Sequence, residues 1–157
     1  METFCTKQDN RAGPLDTSVL HLLHRTGQYA EVIFTAELDS DKLTPRQYAV
    51  LLSVAANEDI SQTGLVEATG IDRSTLADVV GRLESRGLLS RKRTRKDART
   101  YAVRVTARGL EMLKMAKPVA VRTDERILSA LRPNQRAEFK AALQEIVSAM
   151  KRLTKPN

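Results

Sequence analysis

The feature that most constrains the fold is a three-residue turn between two helices near the middle of the chain. Ser61 can cap a short helix over Gln62–Thr69, and Gly70 ends that helix because glycine adopts the left-handed conformation without steric cost. Asp72 can then cap a second, longer helix over residues 73–86, which carries apolar side chains on one face. Two capped helices joined by so tight a turn predict a helix-turn-helix.

The segment after the second helix carries nearly all of the excess positive charge. Residues 88–105, LLSRKRTRKDARTYAVRV, hold seven arginines and lysines against one aspartate, which leaves +6 of the whole-chain net charge of +7. Tyr101–Val105 alternates in the manner of a β-strand, and the apolar pair Leu88 and Leu89 begins the partner strand. The sequence therefore predicts a cationic β-hairpin directly after the helix-turn-helix.

The N-terminal part begins with a predicted flexible arm over residues 1–14, which is polar and has no period. Apolar residues at helical spacing then predict a long amphipathic helix over residues 16–38. The next helix has a clear start, because Thr44, Pro45 and Gln47 form a capping-box pattern with proline at the first helical position.

The C-terminal part is predicted to be two further helices. Thr106 can cap a long one, which Pro118 is expected to kink or interrupt by removing a backbone donor, and the last begins after Pro133. The long terminal helices need an apolar surface to pack against, and a second copy of the chain is the simplest source, so we expect a homodimer. The expected division is a single domain over residues 15–157, with a winged lobe over 44–105 and dimerisation helices over 15–43 and 106–157.

Composition narrows the class of protein. The 157 residues suffice for one domain, and no apolar run is long enough to predict a membrane span. The first residues lack the order of a secretion signal, and the single cysteine fits a reducing cytoplasm. A pI near 9.9 indicates a polyanionic partner, although charge alone fits RNA, DNA or an anionic membrane equally well.

The start of the second helix offers side chains suited to the major groove of DNA. Arg73 can bind a guanine or a phosphate, and Ser74 and Thr75 can donate to or accept from either. Asp78 can orient Arg82 one turn later or accept a hydrogen bond from cytosine. The preceding helix begins with free backbone N–H groups that suit a phosphate, at Ser61, Gln62 and Thr63.

The hairpin offers phosphate and minor-groove contacts. Asp97, Ala98 and Arg99 occupy its predicted tip, and an arginine there can enter a narrow minor groove, where the negative potential is enhanced. The cations predicted to lie along the flanking phosphates are Arg91, Arg93, Arg95 and Lys96. A charge run alone is often only a solvated face, but together with the helix-turn-helix it favours DNA binding.

These residues resemble the MarR-type winged helix-turn-helix regulators over residues 15–153. The resemblance rests on LTPRQYAVL (43–51), IDRSTLADVVGRLESRGLL (71–89) and RKDARTYAVRVT (95–106). It implies a mainly α fold with a small β-wing, and a homodimer with interlocked terminal helices on a near-palindromic operator. It further implies that Arg99 enters the minor groove while Asp97 braces it. Most such proteins repress transcription and release DNA when a small molecule binds, often an aromatic acid or a derivative.

The resemblance places the effector between the dimer helices and the lobe, on the first two helices. The candidate residues there are His21, His24, Arg25, Tyr29, Phe34, Arg46 and Tyr48. His21, Arg25 and Tyr29 share one helix stripe. Arg25 or a histidine can pair with a carboxylate, and Tyr29 and Phe34 can line an aromatic slot, so an anionic aromatic acid or its coenzyme A thioester is the expected ligand. The alternative is that each of these residues belongs to the dimer interface or the surface.

Other classes of function remain open at this stage. Cys5 allows a thiol-based redox sensor, but its only close cation is Lys7 and nothing indicates a depressed pKa. A DNA-architectural protein without sequence preference and a protein-binding winged helix are further alternatives. The sequence contains two histidines and one cysteine, and it has no glycine-rich loop of the kind that binds phosphate. We therefore expect no enzymatic activity, no bound metal and no cofactor.

Overall fold

The structure, a computed structural model, describes residues 13–39, 43–57, 59–93 and 101–153. It contains helices and short strands in the order α1 (Val19–Leu38), α2 (Pro45–Ala56), β1 (Ile60–Ser61), α3 (Gln62–Thr69), α4 (Arg73–Ser85), β2 (Leu89–Arg93), β3 (Tyr101–Val105), α5 (Ala107–Ser129) and α6 (Pro133–Leu153). The predicted fold class, mainly α with a small β-wing, is confirmed. Within the described ranges, none of the helices has both the length and the apolar character that crossing a bilayer requires.

The predicted helix caps of the lobe form the expected hydrogen bonds. Thr44 and Gln47 make both halves of a capping box, since Thr44 Oγ1 accepts from the Gln47 amide at 3.2 Å and Gln47 Oε1 accepts from the Thr44 amide at 3.1 Å. Ser61 Oγ accepts from the Gly64 amide at 3.1 Å at the start of α3. Gly70 ends α3 with φ 70°, in the left-handed region that favours glycine.

The wing is a three-stranded antiparallel sheet in the order β1-β3-β2. Leu89 pairs with Val105 and Arg93 pairs with Tyr101, so β2 and β3 form the predicted hairpin. Strand β1 has no signal in the sequence. Its two residues pair with β3 and tie the start of α3 to the wing.

The core lies inside the lobe and continues onto the flanking helices. Its fully buried side chains come from α2, α3, α4 and the segments beside them, and they are Leu43, Val50, Leu51, Leu65, Leu76, Val80, Leu83 and Leu88. Phe34 and Leu38 of α1 and Ala116 and Val119 of α5 belong to the same buried cluster. Burial of each phenylalanine, leucine or valine in this cluster stabilises the fold by roughly 1.5–3 kcal/mol, so α1 and α5 are anchored to the lobe.

A close contact joins the start of α5 to the end of α4. Thr106 caps α5 by accepting from the Gly109 amide at 3.0 Å, and its hydroxyl donates to the Gly87 carbonyl at 2.7 Å. A Cβ atom at Gly109 would lie 2.2 Å from the carbonyl oxygen of Leu88. Only glycine therefore allows α5 to approach the backbone between α4 and β2 this closely.

Two expectations about helix bounds are corrected by the structure. Helix α1 begins at Val19 with Ser18 as its N-cap, because Asp16 instead accepts from the Gly13 amide at 2.8 Å in a preceding turn. Pro118 does not interrupt α5, which continues through it to Ser129. Pro118 and Lys114, whose carbonyl loses its helical donor, are both exposed, while Val119 is buried against the lobe.

Candidate nucleic-acid interface

The start of α4 is held by its capping aspartate. Asp72 Oδ1 accepts from the Ser74 hydroxyl at 2.6 Å and from the Thr75 amide at 2.9 Å. These hydrogen bonds, from Ser74 first and Thr75 second, hold the pKa of Asp72 well below its usual range, so the carboxylate is charged at neutral pH. The Asp72 carboxylate therefore occupies the N-terminus of α4, which leaves the exposed side chains of the first turn as the candidate contacts for nucleic acid.

The side chains predicted to read bases lie on the solvent side of α4. Arg73, Ser74 and Asp78 are exposed, whereas Thr75 is half-buried and therefore less accessible to a base. Arg82 Nη2 lies 3.0 Å from Asp78 Oδ2, which is the first of the two roles considered for this aspartate. Both side chains are more than 60% exposed, so the ion pair is weak and can open when a phosphate approaches.

The start of α3 lies within the same lobe, and β1 ties it to the wing. Ser61 uses its hydroxyl oxygen as the helix cap, while Gln62 and Thr63 are exposed. The short helix therefore presents two polar side chains and its first backbone amides, which is the arrangement expected for a phosphate contact.

The two arginines at the base of the wing form ion pairs within the protein. Arg91 Nε lies 2.9 Å from Glu84 Oε2 on α4, and Arg104 makes a two-pronged ion pair with Asp59. Arg93 lies in β2, whereas the remaining predicted wing residues, Arg95, Lys96, Asp97 and Arg99, lie outside the described residues. The sequence predicts Arg91 as a phosphate ligand, whereas in the structure its guanidinium pairs with Glu84.

Comparison with known proteins decides the family. The family model described as MarR family matches residues 41–100, which span most of the lobe. The transcriptional regulator HosA of Escherichia coli O111:H- is 34% identical over 107 residues, which cover 68% of this chain and 79% of HosA. The chain belongs to the MarR family. As a member of this family it is a DNA-binding transcriptional regulator and not an enzyme.

Solved structures of MarR-family regulators match nearly the whole chain. The PcaV regulator of Streptomyces coelicolor, solved with its natural ligand, is 32% identical with a TM-score of 0.79, covering 88% of this chain and 98% of PcaV. BpsR of Bordetella bronchiseptica, solved in work on the regulation of its DNA binding by 6-hydroxynicotinic acid, is 29% identical with a TM-score of 0.78. The match covers 83% of this chain and 94% of BpsR, so the long flanking helices are shared as well as the lobe.

The candidate effector residues of this MarR-family chain fall into separate groups. Arg25 donates to the Tyr29 hydroxyl at 3.3 Å, which raises the pKa of Arg25, and its guanidinium carbon lies 5.7 Å from the Tyr29 ring centroid. Both are exposed, as are His24 and Arg46, while His21 is half-buried. Among the seven candidates, all of which lie in the described residues, only Arg25 and Tyr29 present a cation and an aromatic ring together to solvent.

The second group lies at the edge of the core. Phe34 is 3% exposed, and its ring centroid lies 5.6 Å from that of Tyr48 at an interplanar angle of 45°. Burial, followed by the charge of Asp124, raises the pKa of the Tyr48 phenol. The structure therefore places Phe34 as a packing residue, and Tyr48 as a half-buried phenol beside it.

A cavity of about 630 Å³ between α1, α5 and α6 was not predicted. Its lining is apolar, apart from Thr26, Asp124 and Lys140, and includes none of the seven candidate effector residues. The α1 side chains that line the cavity, beginning with Val19 and Leu23, lie on a different face of the helix from the candidates Arg25 and Tyr29. Their apolar spacing is visible in the sequence, but the cavity itself depends on how three distant segments meet.

Proposed function

We propose that this protein is a repressor that binds a near-palindromic operator as a homodimer and releases it when a small anionic ligand binds. The observation that carries the proposal is the exposed face of α4, with Arg73 and Ser74 at its start, beside a hairpin that carries the chain's excess charge. The relation to BpsR supports a small-molecule signal, because its DNA binding is regulated by 6-hydroxynicotinic acid. The cytoplasm is the compartment we expect for such a protein.

The proposed homodimer is supported by apolar side chains that the monomer leaves in solvent. Leu20 of α1 is 81% exposed and Leu153 of α6 is 76% exposed, and other large apolar side chains on both helices are also accessible. Contiguous apolar surface on a folded chain usually marks an interface. We therefore assign the helices within 15–43 and 106–157 to the dimer, and residues 44–105 to the DNA-binding lobe.

Selection from a random-sequence DNA library tests the proposed operator. Two lobes related by a twofold axis should enrich a near-palindrome with half-sites roughly one helical turn, about 10 base pairs, apart. The enriched sequence, called the selected duplex below, then serves as the probe in fluorescence anisotropy. Enrichment of no common sequence would contradict the proposal and favour an architectural DNA-binding protein.

The proposed ligand is an anionic aromatic acid or its coenzyme A thioester. The exposed Arg25 and Tyr29 offer one cation and one aromatic ring at the surface of α1, which suits a carboxylate on an aromatic ring. The redox alternative rests on Cys5, which lies outside the described residues. No contact of the described residues favours it.

We expect aromatic acids to raise the thermal unfolding midpoint and to lower the affinity for the selected duplex. A ligand at about 100 times its Kd stabilises the folded state by about 2.7 kcal/mol, which thermal-shift measurements detect readily. Benzoate and 6-hydroxynicotinate are the first probes, and benzamide is the matched neutral control. In the Arg25→Gln variant the stabilisation by benzoate should fall.

Two outcomes of the thermal-shift and DNA-affinity measurements would contradict the ligand proposal. If no aromatic acid or acyl coenzyme A thioester changes either the midpoint or the DNA affinity, the signal belongs to another chemical class. Equal stabilisation by benzoate and benzamide would show that an anion is not what the protein recognises.

A further inference from the structure

The two arginines at the base of the wing lie on opposite faces of the same hairpin. Arg91 pairs with Val103 in the β2–β3 ladder, and directly paired residues of antiparallel strands point to the same face. Val103 is 3% exposed and belongs to the core, so Arg91 lies on the inner face, towards α4. Arg104 pairs with Ser90 one position away and so lies on the outer face.

Each arginine forms an ion pair with an acidic side chain outside the β2–β3 hairpin. On the inner face, Arg91 Nε lies 2.9 Å from Glu84 Oε2 in the last turn of α4, and the Glu84 side chain is only 24% exposed. On the outer face, Arg104 Nη2 lies 2.5 Å from Asp59 Oδ2, and Arg104 Nε donates to Asp59 Oδ1. Two parallel N–H···O contacts of this kind fix orientation as well as distance.

Asp59 is itself held in place by the backbone. Its φ of 57° is left-handed, a conformation that aspartate tolerates better than most residues. It directly precedes β1, whose two residues pair with Val103 and Ala102 of β3. The carboxylate is therefore positioned against the same strand that carries Arg104.

We propose that Glu84 and Asp59 are positioning residues that anchor the wing from both faces and set its angle to the recognition helix α4. Arg91 and Arg104 are then anchors and not phosphate ligands. Phosphate binding by the wing then falls to its other predicted cations, such as Arg93 of β2. The proposal rests on the DNA-binding function of the lobe, and binding of the selected duplex by the wild-type protein tests that function separately.

The two possible roles of Arg91 predict opposite effects of removing the charge of Glu84. If Arg91 binds phosphate, Glu84→Gln frees the guanidinium and removes a negative charge near DNA, so affinity should rise and depend more steeply on salt. If Glu84 anchors the wing, the same change releases the hairpin, and affinity for the selected duplex should fall with little change in the salt dependence.

We expect Glu84→Gln to weaken binding of the full-length protein to the selected duplex about three- to tenfold, as suits a partly exposed ion pair acting in each of two lobes. Arg91→Gln should weaken it by a similar factor. The double variant should be no weaker than either single variant, because both remove the same contact. The exchanged pair, Glu84→Arg with Arg91→Glu, should recover most of the affinity.

Two further variants complete the measurement. Glu67→Gln removes an exposed acid from α3 in the same lobe, so it reports the effect of charge alone and should leave affinity unchanged or raise it. Asp59→Asn keeps the left-handed backbone accessible but removes the charge that Arg104 binds, and it should behave like Glu84→Gln. Thermal unfolding of each variant confirms that the lobe remains folded.

The proposal is overturned if Glu84→Gln leaves affinity unchanged or raises it. It is also overturned if Arg91→Gln lowers the slope of log affinity against log salt by about 0.9, the value for one lost phosphate contact. Additive losses in the double variant, or no recovery in the exchanged pair, would likewise show that the two residues act separately.

Discussion

The Gly109→Ala variant is expected to be less stable than the wild type by about 2 kcal/mol or more. The added Cβ would lie 2.2 Å from the Leu88 carbonyl oxygen and 2.7 Å from Val105 Cγ2. Alanine gains about 1 kcal/mol over glycine in a helix, but overpacking against backbone costs typically 1–3 kcal/mol and occasionally more. A contact of 2.2 Å with a backbone oxygen lies at the upper end of this range of overpacking costs. The cost of the clash therefore exceeds the gain in helix propensity.

Thermal and urea unfolding measure this loss, and a second helical glycine, Gly81 of α4, provides the control. A Cβ at Gly81 in α4 would meet nothing within 4 Å, so Gly81→Ala should stabilise the protein by up to about 1 kcal/mol. The Gly109→Ala midpoint should fall by about 4–8 °C. A Gly109→Ala protein as stable as the wild type would contradict the close approach of α5 to Leu88.

The Arg73→Ala, Arg99→Ala double variant should weaken binding of the selected duplex at least about 100-fold, since a base-edge or groove contact is worth about 1–3 kcal/mol. Arg73 is exposed at the start of α4, and Arg99 is the predicted minor-groove residue of the wing. The two act at separate places on the duplex, so their losses should add.

The matched control for this variant is Arg132→Ala. Arg132 is also exposed, but it lies between α5 and α6, where its Nε donates to Gln135 Oε1 at 3.0 Å. It should leave DNA affinity unchanged in the same anisotropy titration. Binding by the double variant that equals the wild type would contradict the proposed roles of Arg73 and Arg99 and would mean that other residues bind the duplex.

The lobe was predictable from sequence because its signals are local. The residues that cap and end its helices, such as Thr44, Gly70 and Asp72, act within three or four positions of themselves. Strand β1 was not predictable, because two residues carry no period and it exists only by pairing with β3, some 40 residues later in the chain. The sequence could not decide whether Pro118 interrupts α5, because that depends on which face of the helix is exposed.

In the wing, contacts set by strand alternation can be predicted from the sequence, whereas contacts between distant residues cannot. Strict alternation from the buried Leu89 already places Arg91 on the inner face, so the sequence contained a signal for its role as an anchor. No comparable signal links Arg104 to Asp59, which lies 45 residues away. The cavity between α1, α5 and α6 also depends on tertiary packing, and the predicted effector residues lie elsewhere.

The most direct test of the central claim is the affinity of the wild-type protein for the selected duplex and for a shuffled duplex of equal length and composition, at physiological salt. A sequence-specific regulator with two lobes should prefer the selected duplex at least about 1,000-fold and bind it as two chains. Light scattering of the complex gives the number of 17.5 kDa chains. Equal affinity for the two duplexes, or one chain per duplex, would contradict the account.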